Sequence, residues 1–145
     1  MKILILEDKD ERLKQFNDNL CSEDNQLMMV KEAVYAIDYL SNEKWDVLFL
    51  DHDLGGQINV SSENENTGSE VARFLKQHPF LIPNLVILHS LNMIGCKYMK
   101  GLLPDSVIIP FAWTKLTLDD IQPNMFPLFK QLADSQNQQI EYGKL

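Results

Sequence analysis

The amino-acid sequence predicts an α/β fold: one domain, residues 1–145, in which a five-stranded parallel sheet is doubly wound by helices. Three observations carry this expectation. Strand-like and helix-like segments alternate five times along the chain. The strand-like runs around Ile3, Val47 and Leu85 are continuously apolar, as strands buried on both faces are. The segments between them carry apolar residues at helical spacing, one stripe per helix. No internal repeat or linker divides the chain, and its length suits a single core.

Lys2 to Leu6 reads as the first buried strand. Lys9 to Leu20 reads as a helix, because Leu13, Phe16 and Leu20 fall on one face. Gln26 to Val30 is a second short apolar run, followed by a helix from Glu32 to Leu40 with Ala33, Ala36, Ile37 and Leu40 as its stripe. Val47 to Leu50 is the third strand. Gly55 to Asn66 lacks apolar periodicity and is rich in Gly, Asn, Ser and Glu, so it reads as an exposed loop. Thr67 is a suitable N-cap for a helix over Gly68 to Gln77, with Val71, Phe74 and Leu75 inward. Leu85 to Leu88 is the fourth strand, Met93 to Leu103 a helix containing Gly95 and Gly101, and Ser106 to Ile109 the fifth strand. A last helix is expected over Asn124 to Gln136, with the residues beyond it frayed.

Apolar residues make up 45% of the chain, enough for a globular core and against disorder. No apolar run approaches the roughly 18 residues that a membrane-spanning helix needs. The opening MKILILEDKDE has four consecutive apolar residues before it turns acidic, unlike a signal peptide. A cytoplasmic protein with no membrane partner is therefore expected. The net charge of −8 repels a phosphate backbone and disfavours bulk nucleic-acid binding. A small anion remains possible if a metal or local donors neutralise it. Cys21 and Cys96 lie far apart and read as reduced thiols, and no Cys/His cluster has zinc spacing.

Parallel sheets place their functional crevice at the carboxyl ends of the strands. Here the first strand ends in Glu7-Asp8, the third in Asp51-His52-Asp53 and the fourth in His89-Ser90, with Asn92 close behind. Burying such groups singly costs several kcal/mol, so a shared cation or substrate is expected at this rim. Glu7, Asp8 and Asp51 are hard oxygen ligands suited to Mg²⁺ or Mn²⁺. His52 and His89 can serve as general acid and base near neutral pH. Their strands are expected to be neighbours about 4.8 Å apart, which would bring both imidazoles to one phosphate. Ser90 and Asn92 are neutral donors for phosphoryl oxygens beside a helix N-terminus, unless they only cap that helix. Thr67 and Asp53 complete the substrate-binding candidates, and Trp113 reads either as core or as a base-stacking platform.

ILILEDKDERL, VLFLD, Thr67-Gly68 and Pro110-Phe111 together resemble the receiver domain of response regulators from Lys2 to about Gln136. The resemblance implies the flavodoxin-like strand order 2-1-3-4-5, Mg²⁺ on Glu7 and Asp8, and Asp51 as phosphoacceptor. Two positions depart from receivers: His89 stands where they carry Ser or Thr, and Ile109 where they carry the Lys that pairs with the phosphoryl group. LDHDLGG, TG and HSLN resemble a divergent group, the cyclic-phosphate-processing receiver domains. That resemblance implies action on a small cyclic nucleotide or an RNA-end phosphate, and together with the rim residues it makes the leading expectation a metal-assisted phosphoesterase with Asp51, His52 and His89 catalytic. Two alternatives stay open: an atypical receiver phosphorylated on Asp51, and a protein that binds a cyclic nucleotide without turning it over.

Overall fold

The first four apolar runs become strands at their expected bounds. A computed structural model describes residues 1–145. It contains β1 (Lys2–Leu6), α1 (Asp10–Leu20), β2 (Gln26–Val30), α2 (Ala33–Asn42), β3 (Val47–Leu50), α3 (Gly68–Gln77), β4 (Leu85–Leu88), α4 (Met93–Leu102), β5 (Val107–Ile108), a short α5 (Ala112–Lys115) and α6 (Phe126–Glu141). The five strands form one parallel sheet in the order β2-β1-β3-β4-β5.

Strand alternation divides the core in two. Leu4, Leu6, Leu48, Leu50, Val86 and Leu88 face α2, α3 and α4. Ile3, Ile5, Val47, Phe49, Leu85 and Ile87 face α1 and α5. Every residue of β3 and β4 is buried, which explains why neither strand alternates polar with apolar.

Three expectations change. The fifth strand is two residues long rather than four. Its outer edge is closed by a side chain instead of another strand: the buried Gln136 accepts from the Ile108 N–H and donates to its carbonyl, both at 2.9 Å. That amide protects an edge that would otherwise offer unpaired groups. The last helix starts at Phe126 and does not fray at Gln136 but continues to Glu141. The stretch before it is not featureless either, because α5 and two 3₁₀ turns, at Leu118–Ile121 and Pro123–Met125, occupy it.

Candidate functional site

The pairing register carries the site. Leu6 lies opposite Leu50, and Leu50 opposite Leu88. The ladder then runs one residue past the strand ends: the Asp51 N–H donates to the Leu6 carbonyl and the His89 N–H to the Leu50 carbonyl, each at 3.1 Å. Glu7, Asp51 and His89 thus form one row across the sheet, and all three point to the α1–α5 face. Their ligand atoms lie within 4.8 Å of one another, and all three residues are buried. No other group of three or more His, Cys, Asp or Glu residues is so close.

Glu7 is the anchor. Its Oε2 accepts from the backbone N–H groups of Asp8 at 2.9 Å and Lys9 at 3.1 Å. Its Oε1 meets His89 Nε2 at 3.2 Å and Arg12 Nη1 at 3.6 Å. Burial alone would raise its pKa, but these partners hold it down to about 2. Asp51 goes the other way. Burial, then the charge of Glu7 and a hydrogen bond to it, pushes Asp51 up to about 8, against a single opposing donor, the His52 N–H at 2.8 Å. Burial lowers the pKa of His89, whose ring packs against Phe16 at 5.1 Å, Trp113 at 5.9 Å and Phe49 at 6.4 Å. Two carboxyl groups and a neutral imidazole at such distances are a natural cation set: a dication would offset the burial and the repulsion from Glu7 that raise the Asp51 pKa.

Asp8 stands apart from this row. It follows Glu7, so alternation turns it aside, and its Oδ2 accepts from the Gly56 N–H at 2.8 Å. Burial and nearby Glu7 raise its pKa against that bond. It remains close enough to contribute its charge at Asp51. The tight trio therefore contains His89 where the sequence suggested Asp8.

His52 also lies one residue out of phase, on the opposite face from His89. It is fully buried. Nδ1 meets Asp53 Oδ1 at 2.8 Å and Nε2 meets Ser62 Oγ at 3.1 Å, so both ring nitrogens are engaged. Its ring fills the space above Gly95, where a Cβ would come within 2.5 Å of it. The expectation that His52 and His89 approach one phosphate is thus corrected: their strands are neighbours, but the pleat sends the two rings to opposite faces.

Asp53 and Asn92 extend the His52 network. Burial would raise the Asp53 pKa, but donors from Asn92, His52, Asn59 and Val60 keep it below the ordinary carboxylate range. Asn92 caps α4 through the Gly95 N–H at 3.0 Å. Ser90 Oγ accepts from the Asn92 N–H at 3.1 Å. Thr67 caps α3 and donates to the Asn64 carbonyl at 2.8 Å, so its hydroxyl is spent on the loop. Gly68, next to it, approaches the chain at Asp51: a Cβ there would lie 1.9 Å from the Asp51 carbonyl oxygen.

A cleft of about 520 Å³, counting the solvent at its mouth, opens above the strand ends. Asp51 and Asp53 contribute carboxylates to it, Lys9 and Arg12 cations, Ser90 and Asn92 neutral donors, and Gln57, Ile58, Asn59 and Leu91 the remaining wall. Thr67, His52 and His89 do not line it. Lys9 and Arg12 are the functional candidates that sequence reasoning missed. Their signal was position: they follow the Glu7-Asp8 strand end at once and so enter the first helix at the carboxyl edge. Arg12 is held in place by Trp113, whose ring centre lies 4.2 Å from its guanidinium carbon. Trp113 itself is core.

A model of the cyclic-phosphate processing receiver domain matches residues 2–105. No curated protein matches the chain. Solved structures with the same fold include the phosphorylated cyanobacterial phytochrome response regulator RcpA, at 20% identity and TM-score 0.59, covering 90% of this chain and 89% of that one. The Mn²⁺-bound form of response regulator Rcp1 is 19% identical with a TM-score of 0.55, covering 90% and 89%. The response regulator domain of Thermotoga maritima CheB is 16% identical with a TM-score of 0.55, covering 92% and 96%. With its receiver fold and a family match over most of its length, the chain belongs to the cyclic-phosphate processing receiver domain family.

Proposed function

We propose that the chain is a metal-dependent phosphoesterase that opens a cyclic phosphate of a small nucleotide or an RNA end. One observation carries the reading: the Glu7–Asp51–His89 row, able to hold a dication, meets through Asp51 a cleft walled by two cations and two neutral donors. With a dication on that row, the cleft suits an anion even on a chain of net charge −8. The Mn²⁺-bound form of Rcp1, a response regulator of similar fold, is consistent with a cation on a chain of this fold.

In this scheme Glu7, Asp51 and His89 would hold the ion, with Asp8 adding charge nearby. An ion held there would supply Lewis acidity toward the phosphoryl group. Arg12 and Lys9 bind the phosphoryl oxygens and offset the charge that grows on them as water adds to phosphorus. Ser90 and Asn92 orient the phosphate through hydrogen bonds. One ring P–O bond breaks, and the leaving oxygen takes its proton from water in the open cleft, since neither imidazole lines it. His52 holds the wall rather than moving protons.

The second reading, a receiver phosphorylated on Asp51, draws support from the Asp51 carboxyl reaching the cleft. Ile109 weighs against it, because it packs among apolar residues where a receiver presents its Lys. One experiment separates these readings and the binding-only alternative. The protein is incubated with Mn²⁺ or Mg²⁺ and 2′,3′-cyclic nucleotides, cyclic oligonucleotides or acetyl phosphate, while phosphorus products and protein mass are followed. Ring-opened product, abolished by EDTA and lowered about tenfold to a hundredfold in Arg12→Ala, supports the enzyme. A stoichiometric adduct on Asp51 with no turnover supports the receiver, and saturable binding with neither result supports sequestration.

A further inference from the structure

We propose that His89 makes the strand-end site selective for a transition-metal dication such as Mn²⁺, Co²⁺ or Zn²⁺ over Mg²⁺. This rests on reading the Glu7–Asp51–His89 row as a cation site, and it does not require turnover.

The donor set comes first. A site of carboxylates alone suits Mg²⁺, a hard ion that keeps its waters and prefers oxygen. Replacing one oxygen by an imidazole nitrogen favours later, softer dications, in an order that rises from Mn²⁺ through Co²⁺. Here the third member of the tight trio is the nitrogen ligand His89, while the extra carboxylate, Asp8, is tied to the Gly56 N–H.

Geometry comes second. Ligands around an ion at about 2.1 Å stand about 3 Å apart when adjacent and about 4.2 Å apart when opposed. The trio's atoms lie within 4.8 Å of one another, so a small shift completes three positions of one coordination shell. Cα register fixes these residues side by side, and three aromatic rings fix the imidazole: Phe16, Phe49 and Trp113 leave it no other direction.

The third observation concerns the buried imidazole itself. His89 is fully buried, and its Nδ1 has no hydrogen-bond partner. Only Nε2, which faces the ionised Glu7 at 3.2 Å, meets a polar group. Two lone pairs cannot face each other there without a proton or a cation between them. A cation on Nε2 displaces that proton, and the ring's one hydrogen moves to Nδ1, so no net charge is added to the buried imidazole, and the metal bond must exceed the cost of a buried N–H without an acceptor. The cation then occupies the space between nitrogen and carboxylate that Nε2–H fills without it.

The test is metal binding in the absence of substrate. Mn²⁺ and Mg²⁺ affinities are measured by calorimetry on the wild type and on His89→Gln, which can still donate to Glu7. Mn²⁺-loaded protein is examined in parallel by electron spin-echo spectroscopy for coupling to ¹⁴N. The wild type should prefer Mn²⁺ by about a hundredfold and show imidazole nitrogen coupling. In His89→Gln the preference should fall at least about tenfold through weaker Mn²⁺ binding alone, and the coupling should vanish. Equal Mn²⁺ and Mg²⁺ affinities, or a Mn²⁺ signal without ¹⁴N coupling, would overturn the proposal and leave His89 as a positioning partner of Glu7. Both results are read without turnover, so an inactive protein that binds Mn²⁺ through nitrogen refutes the enzyme reading and not this one.

Discussion

Asp51→Asn should make the cation-free protein more stable. The Asp51 carboxyl is almost fully buried beside Glu7, which is ionised, and its pKa is pushed up to about 8 from an ordinary 3.8. A group with a raised pKa binds its proton more tightly folded than unfolded, so stability falls as pH rises from about 4 to about 8. Each unit of that gap is worth about 1.4 kcal/mol, so the full gap sets a ceiling near 6 kcal/mol. Solvent in the cleft and relaxation around the carboxylate reduce it, and about 3 kcal/mol is the expected gain at pH 8. Asparagine keeps the oxygen that accepts from the His52 N–H, so the strand end stays closed. For a chain of this size 3 kcal/mol raises Tm by about 6–12 °C. Thermal unfolding in EDTA at pH 8 and pH 4 reads it: the variant should melt higher at pH 8, and the difference should nearly vanish at pH 4. Saturating Mn²⁺, at about a hundred times its Kd, should stabilise the wild type by about 2.7 kcal/mol and leave the variant almost unmoved. A variant that melts lower than wild type at pH 8 in EDTA, or that gains as much from Mn²⁺, would refute this reasoning.

Three further outcomes follow from the same contacts. His52→Ala should cost about 3 kcal/mol in urea unfolding and speed hydrogen exchange over residues 55–66, because Asp53, Ser62 and Asn92 lose a buried partner; intact stability with collapsed turnover would instead make His52 a catalytic group. Gly68→Ala should cost more than about 2 kcal/mol, since its Cβ would meet the Asp51 carbonyl at 1.9 Å and α3 must move away; denaturant titration unchanged from wild type would show that the two segments separate freely. Lys100 is buried, donating to the Pro104 carbonyl at 3.0 Å and the Ser106 carbonyl at 2.5 Å, and burial pushes its pKa down to about 8. Relative to Lys100→Met, the wild type should therefore gain stability as pH rises above about 8, by about 2 kcal/mol between pH 7.5 and 9.5, and a flat difference would contradict a depressed pKa.

Much of the fold is legible in the sequence because its strands are short, uninterrupted apolar runs. β3 and β4 begin and end where apolar residues do, β1 and β2 each add one polar residue at the start, and α3 begins at its Thr67 cap. The second half of the chain is less so. β5 is short and its outer edge is paired by Gln136, a polar residue from a helix far along the chain, and no local pattern announces that its amide will stand in for a strand. The same residue anchors α6 against the sheet and carries the helix past the point where fraying was expected. At the site, the acidic and histidine residues are visible at the strand ends, but their partners depend on phase. Glu7, Asp51 and His89 share a phase; Asp8 and His52 each sit one residue beyond it. Alternation counted from Leu6, Leu50 and Leu88 is enough to put His52 and His89 on opposite faces of the sheet. Lys9 and Arg12 need more, since their place in the cleft depends on how α1 leaves β1 and on the Trp113 ring beneath Arg12.

The most direct test is to locate the ion. Crystals grown with Mn²⁺ and measured at its absorption edge would show where the cation sits. One anomalous peak about 2.1–2.2 Å from a carboxylate oxygen of Glu7, a carboxylate oxygen of Asp51 and Nε2 of His89 is the expected result. Ordered Mn²⁺ elsewhere on the acidic surface, with Glu7 still hydrogen-bonded to His89 and the strand-end row empty, would contradict a cation site beneath the phosphate cleft.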